Sequence, residues 1–110
     1  MFDTIRQNLI IEKAYELLQQ EGLDVKGLVS KMPVERQAFH RNKLREMQTA
    51  AGFGMHDVAV MMASPYVESF DFTTQFDLWQ RFKSWQDAGL LRAGVLDFFK
   101  SKLGNPNFAV

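Results

Sequence analysis

Between residues 70 and 85 the chain reads FDFTTQFDLWQRFKSW, with six aromatic side chains in sixteen positions. At the turn of an α-helix, Phe76, Leu78, Trp79, Phe82 and Trp85 spread over about half the circumference, whereas a helix resting on one neighbour needs an apolar stripe of only about 100°. Asp77, Gln80, Arg81, Ser84 and Asp87 mark the wet side. Asp77 and Arg81, four residues apart, read as a local ion pair. Such a helix must touch neighbours on both flanks or keep part of its arc for a partner. Either way the rest of the chain has to supply helical surfaces that cover it.

The remaining sequence does so. Residues 3 to 21 carry Ile10, Ile11, Ala14, Tyr15, Leu17 and Leu18 on one broad helical face, with Asp3 as a cap and Gly22 as the stop. Phe2, Ile5 and Leu9 fall on a different face, so the first turns are apolar on a side that the later turns leave polar. Residues 23 to 32 read as a short helix or an irregular connection. Pro33 opens PVERQAFHRNKLREMQTAA, which runs toward Gly52. MHDVAVMMA is a short helix ended by Ser64-Pro65, and Pro65 begins another helical turn through YVESF. Thr73 or Thr74 is the expected cap of the aromatic helix, which Gly89 closes. The last helix is expected over LLRAGVLDFFKSKL, with Leu91, Val95, Phe98, Phe99 and Leu103 along one side and Gly104 as its end. No strand-like alternation of useful length occurs. The chain therefore reads as all-α, a compact single-domain bundle of five or six helices spanning residues 1–110.

Composition narrows the function classes. Thirteen basic residues balance thirteen acidic ones, so no global field steers the protein onto nucleic acid or an anionic membrane. The absence of cysteine excludes disulfides, thiolate zinc sites and thiol catalysis. Asp3, Arg6, Glu12 and Lys13 interrupt the N-terminal apolar residues, so neither a signal peptide nor a membrane span is expected and a cytoplasmic location is the default. His40 and His56 are the only histidines and neither has a second ligand at helical spacing; Glu12 and Glu16 share a face but read as solvated helix charges. Gly52-Phe53-Gly54 follows a helix and lacks the Lys-Ser/Thr ending of a phosphate loop. No catalytic residue, cofactor or metal is expected.

Two surfaces remain as candidates for recognition. Arg36, Arg41, Lys43 and Arg45 lie within ten positions, but on one helix Arg36 and Lys43 project to one side and Arg41 and Arg45 to the other. Leu44, Ala51, Gly52-Phe53 and Val58 resemble the spacing in part of the MerR-type DNA-binding domain, which implies a helix-turn-helix between residues 36 and 62. The wing, the flanking strand residues and the nearby arginines of that family are missing, and the second helix offers only His56 and Asp57 to a base edge. The segment reads better as a packed helical corner. The second surface is apolar. Phe2, Ile5, Leu9, Phe70, Phe72, Trp79 and Trp85 are the residues expected to face another chain, with Met61 and Met62 either filling core gaps or adding an adaptable contact. The leading expectation is a non-enzymatic regulator or adaptor that blocks or sequesters another protein, itself a homodimer. The alternatives are a DNA-binding regulator and a structural or assembly subunit.

Overall fold

Each helix starts and stops where local chemistry requires. The computed structural model describes residues 2–50 and 52–104, without the side chain of Phe2. Helix α1 (Phe2–Gln20) closes before Gly22, with the amide of Leu23 donating to the carbonyl of Leu18 at 3.0 Å. Asp3 lies inside its first turn rather than ahead of it. Residues 23 to 32 do contain a helix, α2 (Val25–Ser30), because the Asp24 carboxylate accepts from the Gly27 amide at 2.9 Å and caps it. Helix α3 (Val34–Ala50) follows Pro33, whose carbonyl accepts from Arg36 and Gln37. Helix α4 (Met55–Ala63) continues into a 3₁₀ turn, Ser64–Ser69, that Pro65 opens as expected.

Helix α5 (Phe72–Asp87) starts two residues earlier than the threonines suggest, and its cap is Asp71, whose carboxylate accepts from the Thr74 amide at 2.8 Å. Gly89, at φ +77°, closes it in the left-handed conformation, with the Leu90 amide donating to the Trp85 carbonyl at 2.9 Å. Helix α6 is much shorter than expected, Val95–Ser101. Two features keep residues 90 to 94 out of it: Gly94 sits at φ +89°, and the Arg92 amide is held by the Asp57 carboxylate at 2.8 Å.

The described residues thus form six α-helices and one 3₁₀ turn without a strand, and they share one core. Helix α4 is its axis. Val58, Ala59, Val60, Met62 and Ala63 are wholly buried, so most of this helix's circumference is covered, with Met61 left half-buried. It packs most extensively on α1 and also against α3 and α6. From α1 come Ile11, Ala14, Tyr15 and Leu18, the face that periodicity marks. Helices α5 and α6 close the other side, where Phe82 meets Phe99 edge-on with ring centroids 4.9 Å apart. The apolar helix α4 begins with a buried carboxylate: Asp57 accepts from the Gly54 amide at 3.0 Å as well as from Arg92, so its charge is met by backbone N–H groups at both oxygens. Gln75 plays the matching part in α5. Its amide donates to the Val67 and Phe70 carbonyls, and its oxygen accepts from the Gly104 amide.

Phe82 and Phe72 lie on the same helix at opposite extremes of burial, 0% and 57% exposed. Phe82→Ala should cost about 3–5 kcal/mol of unfolding free energy, and Phe72→Ala should stay within about 0.5 kcal/mol of wild type. Urea titration of both variants checks this, and similar losses in the two would contradict the packing described.

Candidate functional site

Helix α3 is the least embedded of the long helices. Of its seventeen residues only Leu44 is fully buried. Polar contacts with α1 supply the rest of its anchorage: Arg41 donates to Asn8 at 3.3 Å and pairs with Glu12 at 3.4 Å, and Gln48 donates to the Gln7 carbonyl at 3.1 Å. A helix held by one narrow edge keeps its other apolar residues near the surface. Phe39 is 64% exposed and Val34 is 76% exposed.

The consequence is a groove of about 660 Å³ between α3 on one side and α4, the 3₁₀ turn and α6 on the other. Arg36, His40, Lys43 and Met47 recur at intervals of three and four along α3 and form one wall with Phe39. Leu44 is at the base. Met61, Pro65 and Phe98 form the facing wall, and Met32 joins from the segment between α2 and α3. Phe98, like Phe39, is an exposed ring. Each of these two rings carries a lysine: the Lys43 ammonium lies 5.5 Å from the Phe39 centroid, and that of Lys102 lies 5.1 Å from the Phe98 centroid. In the α3 wall, His40 Nε2 is covered and has no hydrogen-bond partner among the described residues. Burial pushes the His40 imidazole below its usual range, and the neighbouring Arg41 cation pushes in the same direction.

The residues singled out from the sequence lie elsewhere, or play other parts. Ile5 and Leu9 are exposed on α1, at 53% and 57%, and Phe72 is exposed at the start of α5. Phe70 is half-buried against the core. The Phe2 side chain lies outside the described residues. Trp79 and Trp85 are corrections. They are 7% and 8% exposed, because α5 is covered on both flanks of its wide arc and Trp85 packs against His56 and Phe82. What stays accessible is a margin of Trp79, which borders a surface hollow with Phe76 and Lys83. The ion pair expected between Asp77 and Arg81 is replaced by one between Arg81 and Glu21 at 2.9 Å. Met62 is core, whereas Met61 reaches the groove.

The basic cluster divides as the helical projection requires. Arg36 and Lys43 line the groove. Arg41 is engaged by α1, and Arg45 donates to Asn42 within its own helix. In the segment that resembles a helix-turn-helix, the second helix is the buried α4. His56 stacks edge-on with Trp85 at 4.9 Å and Asp57 is 3% exposed, so its two polar side chains are both used internally.

Among the described residues no helix is long and apolar enough to cross a membrane. Comparison with protein-family models, with curated proteins and with solved structures finds no match to this chain.

Sequence reasoning missed Phe39, Met47 and Phe98 as surface residues. The available signal was weak: α3 carries Phe39 and Met47 among mostly charged and amide side chains, without a stripe broad enough to bury it.

Both histidines have imidazoles whose protonation the fold resists. For His56 the cause is burial, partly offset by the charge of Asp57. A base whose folded pKa lies below its unfolded value costs stability once the unfolded chain starts to take up the proton. Stability should therefore fall as the pH drops through 6.5, the ordinary histidine value. Thermal unfolding at pH 7.5 and 5.5 should show a lower melting temperature in acid, and His40→Gln/His56→Gln should reduce the difference. A melting temperature that holds or rises on acidification would contradict the assignment. Glu12, held low chiefly by its hydrogen bond to Lys26, adds its own loss only at more acidic pH.

Proposed function

We propose that this chain is a small non-enzymatic protein-binding module that regulates by occupying a segment of another protein, and that the groove beside α3 is its contact surface. The observation that carries the reading is the meeting of two exposed phenyl rings, Phe39 and Phe98, with half-buried Met32, Met47 and Met61 around one depression. The large aromatic side chains Phe82, Phe99, Trp79 and Trp85 pack inside; of the exposed rings Phe39, Phe72 and Phe98, the groove brings two together. Apolar patches of this kind mark contact sites on soluble domains. Methionine adds adaptability, because an unbranched, polarizable side chain can repack around different partners. The groove is walled by helices, which suits the insertion of a third helix through its apolar face. Ile5 and Leu9 form a separate and smaller stripe on α1, the place where two copies would meet if the chain dimerises.

Selection from a displayed library of helix-biased random peptides tests the surface with no partner assumed. With methyl-¹³C methionine, bound peptides should shift Met32, Met47 and Met61 and leave the core residue Met62 in place. Phe39→Asp, at a mostly exposed position, should weaken binding by roughly 30-fold or more, the scale of an interface anchor. Binders that ignore Phe39, or that shift methyls outside the groove, would refute the reading.

A further inference from the structure

We propose that the occupant of this groove is an acidic amphipathic helix, an inference that rests on the groove's being a protein-docking surface. Its lining carries two cations, Arg36 and Lys43, against one carboxylate, Glu35, in a chain whose net charge is zero. Arg36 and Lys43 stand on the α3 wall, and Lys102 stands over the ring of Phe98 on the facing wall. Glu35 is the one carboxylate among the lining residues.

These cations are only lightly committed. Arg36 pairs with no carboxylate among the described residues, and Lys43 meets Glu46 at 3.5 Å in an exposed pair. Pairs of that kind contribute little, so a partner's carboxylate can replace Glu46 at small cost. Both lysines lie over aromatic faces, which leaves each ammonium beside the apolar surface that an incoming side chain would cover. Desolvation by that side chain would strengthen a new ion pair at the margin. The complementary ligand has apolar anchors on one helical face, spaced three and four residues apart to follow Phe39, Met47, Met61 and Phe98. It has Asp or Glu on the two flanks of that face.

The test sequences the peptide pools selected on the wild-type protein and on Arg36→Glu/Lys43→Glu. Wild type should enrich Asp and Glu beside the apolar anchors, and the reversed protein should enrich Lys and Arg. A single acidic binder should lose about tenfold in affinity on the reversed protein, and should weaken as salt rises from about 0.05 to 0.5 M. A pool that shifts the groove methionines but shows no acidic bias, or binders indifferent to the reversal, would overturn the acidic partner and leave the docking surface standing. A pool without any groove binder would overturn both. Sodium oleate is the second probe, because an acyl chain with a carboxylate presents related chemistry. If it shifts the same three methyls and displaces the acidic peptide at lower concentration, a lipid and not a helix is the occupant.

Discussion

A nine-residue helix that is apolar on every side can exist in water only if other elements surround it, and α4 is that helix here. Its cover comes from α1, α3 and α6, and its first turn is fixed by the carboxylate of Asp57. That carboxylate is buried yet accepts two backbone N–H groups, one from its own helix start and one from Arg92. The arrangement joins helix capping to tertiary structure. Loss of the side chain would leave two amides unmet as well as unpin the approach to α6.

The groove follows from how that cover is divided. Helix α1 takes the largest share of α4 with a broad face that ends at Leu18, and α5 and α6 shield the far side through Phe82 and Phe99. Little of α4 is left for α3, which inserts Leu44 and then depends on Arg41 and Gln48 for its hold on α1. Part-buried hydrogen bonds and a partly exposed ion pair of this sort add modestly to stability. They do set the position of the helix, and with it the separation of Phe39 from Phe98 across the groove.

What can be read from the sequence is whatever local pattern decides. The helical period finds Ile11, Ala14, Tyr15 and Leu18, and Ser64-Pro65 marks the change of helix type. The aromatic helix is recognisable, but its wide arc is ambiguous. Periodicity cannot distinguish a helix with two buried flanks from one with a free margin, and the tryptophans lie on buried flanks. The misplaced start of α6 has a different cause: the Asp57–Arg92 hydrogen bond spans 35 positions, and no local signal reveals it. The groove is hidden for the same reason. Its walls come from α3, α4, the 3₁₀ turn and α6, and its strongest members, Phe39 and Phe98, look like ordinary core residues until the neighbours are in place.

A docking surface beside α3 requires the groove to be open in the free protein. Methyl-¹³C methionine spectra recorded with a soluble nitroxide test that directly, since the radical broadens only methyls it can approach. The methyls of Met32, Met47 and Met61 should broaden strongly while Met62, at 0% exposure, stays sharp. Equal protection of all four across a dilution series would contradict it, because the groove would then be filled by the chain itself and closed to a partner.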